Sequence, residues 1–289
     1  LYYLSTKTVE LEQTYIKAVE LITEYCNDEQ KVLLIDECSV PMNGHRSHIG
    51  SDMVLKTTMC QQFFNQLAIS AESFNGKLKS HMDRYIAQFN SYSIWLWHII
   101  LIQTGIRPVR HAPGLLNQFD LKRRILWVSD KEERHAQSDG RLIPLSKFLI
   151  TAIQNYMTYI KQFAAIYNPL CPAAPYPIND ILQSERPLIQ LYKKNPKGFT
   201  SITPSQVRYQ LQDFFSHQDN WLRHQLRSML TGRVPDYLIC ALYGHEHPDQ
   251  EFMHPMSSSS INQLHQLSSH LDAIATDLHL KQIEVRLYG

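Results

Sequence analysis

The sequence has no apolar run long enough to cross a bilayer. The nearest approach, Ile94 to Ile102, is interrupted by His98 and falls well short of the roughly 20 residues a spanning helix needs. No membrane partner is expected. Closely spaced cysteines are missing too: Cys26, Cys38, Cys60, Cys171 and Cys240 are odd in number and scattered. That pattern excludes a disulfide framework and a cysteine-rich zinc module, and a reducing interior is the expected home. Histidines are plentiful at 14, yet His45/His48 and His245/His247 lack convincing cysteine or acidic partners nearby. No metal or other cofactor is expected. An initiating methionine and a leader-type pattern are absent as well, so the sequence reads as a fragment of a longer protein with upstream residues missing.

Net charge is also scarce, at +1, but its distribution is uneven. Residues 1–80 carry 7 Lys+Arg against 10 Asp+Glu, residues 81–233 carry 19 against 10, and residues 234–289 carry 2 against 7. A basic middle between acidic flanks is the asymmetry expected where one face meets a polyanion. With 44% apolar residues, 289 residues fill one large core or two smaller ones.

Apolar spacing predicts a helix over Thr8–Cys26 and one or two more between Asp52 and Gln88, where Asn75-Gly76 is the main turn signal. Ser91–Gln103 is apolar on every side, which predicts a buried helix stopped at Gly105 and delivering Arg107 at its exit. ILWVS (125–129) and RLIPLS (141–146) read as a β-hairpin with a long polar turn that carries Lys131. Helical spacing resumes over Ser146–Tyr167, and Asn168–Pro187 is proline-rich and irregular. Thr203-Pro204-Ser205 is an N-cap signal for a helix through Val207, Leu211 and Phe214. Helices around His224 and Tyr237 and a last one over about Ile261–Leu280 complete a mainly α fold with a small β-sheet or hairpin, of α+β class.

Four short pieces carry chemistry. In TGIR, Arg107 offers a permanently charged planar fork suited to two phosphate oxygens. In HQLR, His224 and Arg227 are three apart and share a helical face, placing a proton-transfer group beside a second guanidinium. LYGH ends at His245, another donor for the same anion, and the Lys131 ammonium could protonate a leaving oxygen.

In this order and spacing, TGIR, a hairpin lysine, HQLR and LYGH resemble the tyrosine recombinase (phage integrase) family over roughly residues 83–260. The resemblance implies the family's catalytic-domain fold in residues 81–289, preceded by a helical, core-binding-type domain in residues 1–80. It implies double-stranded DNA as partner, with Arg107 and Arg227 on the scissile phosphate and Lys131 as general acid. His224 would exchange a proton with the nucleophile, and His245 would complete the oxyanion contacts. No cofactor is implied, because the family keeps the energy of the broken bond in a phosphotyrosyl link.

The nucleophile is what the family pattern lacks here. A tyrosine is expected about ten residues past the last histidine, and Glu246–Ser260 contains none; His254 and Met256 occupy the slot. The expectation is therefore a DNA-binding or targeting subunit of a mobile element, cleavage-deficient by itself and acting in recombination or integration, alongside partner recombination or transposition proteins. It would reside with DNA, on a bacterial nucleoid or in a eukaryotic nucleus. The alternative is an active recombinase drawing its nucleophile from His254, from the serines 257–260, from Tyr288 or from a second protomer. Tyr237 and Tyr243 precede the slot and are expected to pack their helices. The apolar stripe Leu264, Leu267, Leu271, Ile274 and Leu278 predicts a buried C-terminal helix, docked on its own domain or on a neighbouring protomer as a homo-oligomer contact on DNA.

Overall fold

A computed structural model describes residues 54–72, 81–109, 112–128, 140–170, 178–194, 197–212, 215, 218–244 and 261–284. All of them belong to one compact unit, Met53–Gly289. The helix expected over Thr8–Cys26, and Lys131, His245, His254, Met256, the serines 257–260 and Tyr288, lie outside the described residues.

Helix α1 (Thr57–Glu72) buries Cys60, Phe63, Phe64, Leu67, Ala68 and Ala71, which recur at three-to-four spacing along one face. That face packs on α2 (His81–Thr104). From Tyr92 to Ile102 every residue of α2 is buried, which is why this stretch carries no polar face. Its end is set locally. Thr104 Oγ1 donates to Ile100 O at 2.6 Å, and Gly105 turns left-handed with φ of +62° while its N–H reaches Leu101 O at 2.9 Å. Helices α1 and α2 share one core. The turn signal Asn75-Gly76 lies outside the described residues, and α1's apolar stripe needs α2 to cover it.

Strands β1 (Phe119–Asp120), β2 (Ile125–Val128) and β3 (Arg141–Pro144) form an antiparallel sheet in that order. Leu126 lies opposite Ile143 and Val128 opposite Arg141, so the expected hairpin has the expected strands. Helix α3 (Lys147–Leu170) follows at once, and its first N–H groups are met by side chains. Ser146 Oγ accepts from Leu149 N at 3.0 Å, and the Asp272 carboxylate accepts from Lys147 N and Phe148 N at 3.2 and 3.0 Å.

A second hairpin, β4 (Gln190–Lys194) and β5 (Lys197–Ser201), stands where the sequence showed no strand signal. Leu188, Ile189, Gln190 and Leu191 are all buried, so the apolar/polar alternation that marks a half-exposed strand is absent. Helix α4 (Pro204–Leu211) starts at the expected cap: Thr203 accepts from Gln206 N, and Gln206 Oε1 accepts from Thr203 N at 2.8 Å. Thr203→Ala is expected to lower unfolding free energy by about 1 kcal/mol, read from urea denaturation midpoints.

Helices α5 (Trp221–Leu230), α6 (Asp236–Tyr243) and α7 (Ile261–Asp277) complete the described elements. Leu264, Leu267, Leu271, Ile274 and Leu278 are fully buried, and α7 packs on α3, β3 and α6 of the same unit. Ser268 Oγ also bonds Leu145 O at 3.0 Å. The stripe is therefore covered by elements of its own chain, the first of the two dockings expected for it. The described structure is mainly helical with small antiparallel sheets, the α+β class expected.

Candidate phosphate site

Three of the four motif pieces meet where α2 ends, α5 passes and α6 ends. Gly105 carries the chain out of α2, Ile106 is buried at 1% exposure, and Arg107 follows half-buried before the buried Pro108. The glycine is required twice over at this position. Its left-handed φ disfavours a side chain, and a Cβ there would lie 3.1 Å from Tyr243 Cζ and 3.2 Å from Leu226 Cδ2. The TGIR exit is thus pressed directly onto α5 and α6.

On α5 the apolar side chains of Trp221, Leu222, Leu226 and Leu230 face the core. Gln225 is buried with them, and its Oε1 accepts from Leu55 N at 2.8 Å. The remaining face presents His224, half-buried, with Arg227 and Ser228 exposed, so the three-residue spacing of HQLR does place imidazole and guanidinium on one side. Arg227 is anchored through its backbone: its carbonyl accepts from Thr231 N at 3.0 Å and Thr231 Oγ1 at 2.9 Å.

The third piece ends α6. Gly244 adopts a left-handed C-terminal conformation with φ of +62°, and two buried arginines meet the last carbonyls of the helix. Arg141 Nε donates to Leu242 O at 3.0 Å, and Arg223 Nη2 donates to Tyr243 O at 2.9 Å. Arg223 Nη1 donates in addition to Gly105 O, across 118 residues of sequence. Its guanidinium lies over the Tyr243 ring, 4.3 Å from the centroid, and Tyr243 Oη donates back to Arg223 O at 2.6 Å. Cations at a helix C-terminus offset the partial negative charge of its unpaired carbonyls, which makes two buried guanidinium groups tolerable here.

Tyr243 packs its helix as expected. Burial pushes its hydroxyl well above the usual phenol range, and it is only partly pulled back by Arg223, Arg227 and Arg141. With its hydroxyl proton committed to Arg223 O, it has none of the character of a nucleophile. Tyr237 does not pack as expected. It is 45% exposed on the outer face of α6, where Gln263 Nε2 reaches its hydroxyl at 3.4 Å. Cys60 is no candidate nucleophile either, being fully buried with its thiol pushed up to about 11 by desolvation.

The structure therefore brings Arg107, His224 and Arg227 onto elements that touch one another, and it places the residue preceding His245 in the same joint. Arg141, Arg223 and the pairing role of Tyr243 were not legible as site features. The available signal was the four-residue spacing of Arg223 and Arg227 on one helix, and it does not say that the first of them is buried. Among the described residues no group of three or more His, Cys, Asp or Glu side chains is placed to hold a metal ion.

No protein-family model and no curated protein matches this chain. Two guanidinium groups and an imidazole lie on adjoining elements, and guanidinium is the side-chain chemistry that suits a tetrahedral oxyanion.

Proposed function

We propose that this chain binds duplex DNA through a phosphate site of tyrosine recombinase type and does not cleave the strand by itself. The observation that carries the reading is the joint made by Arg223 with Gly105 O and Tyr243 O, because it draws the TGIR exit and the LYGH end onto the helix that bears HQLR. Motif pieces that had only order and spacing in common thereby acquire a shared location. A surplus of 9 positive charges in residues 81–233 supports a polyanionic partner.

In this reading Arg107 and Arg227 grip a backbone phosphate, and His224 lies beside it. Lys131 and His245 contribute the roles that the family resemblance implies. Phosphate contacts position a protein on a duplex without reading its sequence, so a site without a nucleophile still serves as a clamp. Such a protein acts as a DNA-binding or targeting subunit in recombination or integration of a mobile element, with cleavage supplied by a partner.

A nicked suicide duplex tests the cleavage half of the proposal, since an active recombinase is trapped as a covalent adduct stable to SDS. The purified chain is expected to shift the duplex at low salt and to form no adduct. An adduct formed by this chain alone would overturn the proposal and return the nucleophile to His254, the serines 257–260 or Tyr288.

A further inference from the structure

We infer that Arg223 is a positioning residue for the phosphate clamp: it sets the geometry of Arg107 and of the turn leading to His245 without itself facing the ligand. This rests on the phosphate-site reading above. Arg223 is 7% exposed, so its guanidinium is withdrawn from solvent while its neighbours His224 and Arg227 line the open face of α5. Its two acceptors have a common relation to the site. Gly105 lies two residues before Arg107, and Tyr243 lies two residues before His245. A single planar group thus fixes the chain just upstream of two phosphate-site residues and is itself the residue before a third, His224.

The chemistry requires arginine at this position. The fork must reach carbonyls on two different elements while its flat face lies 4.3 Å from the Tyr243 centroid, and only a planar guanidinium offers directed donors along its edge and a face for stacking. A lysine retains the charge but cannot hold both carbonyls in fixed directions and stack at the same time. The return bond from Tyr243 Oη to Arg223 O at 2.6 Å closes the joint from the other side. With Gly105 pressed against the Tyr243 ring, little slack remains for Arg107 to move relative to α5.

Three proteins are compared by fluorescence anisotropy on a labelled mixed-sequence duplex over a series of salt concentrations: the 289-residue chain, its Arg223→Lys variant and the clamp variant Arg107→Ala/Arg227→Ala. Arg223→Lys is expected to bind about tenfold more weakly, with a shallower dependence of log affinity on log salt, although net charge is unchanged. Installed in the clamp variant, the same substitution is expected to add nothing, because a positioning residue has no effect once the groups it positions are gone. A purely structural role would lower the melting temperature and leave the salt slope of the folded fraction unaltered.

Unchanged affinity and slope in folded Arg223→Lys, with the clamp variant impaired, overturns this inference and leaves the phosphate site standing. A parent chain that shows no salt-dependent binding, or a clamp variant that binds as the parent does, removes both. If Arg223→Lys does not fold, Tyr243→Phe carries the test. It keeps the ring and deletes only the bond to Arg223 O, with an expected loss of about threefold in affinity at unchanged charge. Parent-like binding by Tyr243→Phe then overturns the inference.

Discussion

Replacing Arg107 and Arg227 together by alanine is expected to weaken binding to a mixed-sequence duplex about a hundredfold at about 0.1 M salt. Each guanidinium contributes charge-assisted hydrogen bonds to phosphate, and losing a contact of that kind costs about 1.5 kcal/mol or more, so two together reach that factor. The salt dependence carries a finer prediction. If both arginines grip one phosphate, as proposed, the slope of log affinity against log salt should become shallower by about 1; two separate phosphates would give about 2. Arg123 supplies the control. It is a highly exposed cation on the turn between β1 and β2, paired with Asp120 at 3.3 Å, and that turn lies at the opposite end of the sheet from the segment joining β2 to β3. Arg123→Ala is expected to change affinity by less than about twofold, as suits a screened surface charge. A clamp variant with parental affinity and slope would show that these arginines do not meet DNA.

How much of this was legible in the sequence divides along a physical line. Features set by local geometry were readable: the all-apolar run that becomes α2, the glycine that stops it, the strands β2 and β3 and the Thr203-Pro204 start of α4 each rest on the residues of one short segment. Features set by what an element meets across the core were not. The β4–β5 hairpin is buried around Leu188–Leu191, so no alternation marked it. The stripe on α7 announced burial but could not say against what, and the answer is α3, β3 and α6 of the same unit. The site shows the same division. His224 and Arg227 were found because their spacing is helical, and Arg107 because a glycine precedes it. Arg223 was not found because its partners are the backbone carbonyls of Gly105 and Tyr243. Every residue carries such a group, so it leaves no trace in sequence.

His98, the residue that interrupts the apolar run of α2, should make the stability of the fold depend strongly on pH. Its ring is 2% exposed, and its edge meets Phe63 with centroids 5.2 Å apart and Trp97 at 4.9 Å. Nδ1 lies 2.7 Å from Ile94 O. Since a carbonyl only accepts, Nδ1 carries the proton of the neutral ring, and a second proton would have to enter at Nε2. A small cavity of about 30 Å³ adjoins the ring, but Asp219, which also lines it, is paired with Arg208 at 3.0 Å. Desolvation therefore dominates and lowers the imidazole from its ordinary 6.5 to about 4. The sign follows from proton uptake. Between these two values the unfolded chain binds a proton that the folded chain refuses, so stability is complete above about pH 6.5. It falls as the pH drops toward 4 and levels off below that. The loss attributable to His98 between about pH 7 and pH 5 is about 2 kcal/mol. Urea unfolding of the parent and of His98→Gln at both pH values measures it, because the carboxylates that titrate nearby are common to the two proteins and cancel in the difference. The variant should be less stable at neutral pH, having lost ring packing on Phe63 and Trp97, yet its stability should change less on acidification by that amount. Equal pH dependence in the two proteins would mean that the His98 ring accepts its second proton in the folded state, and hence that the core around Phe63 and Trp97 opens to water on the timescale of titration.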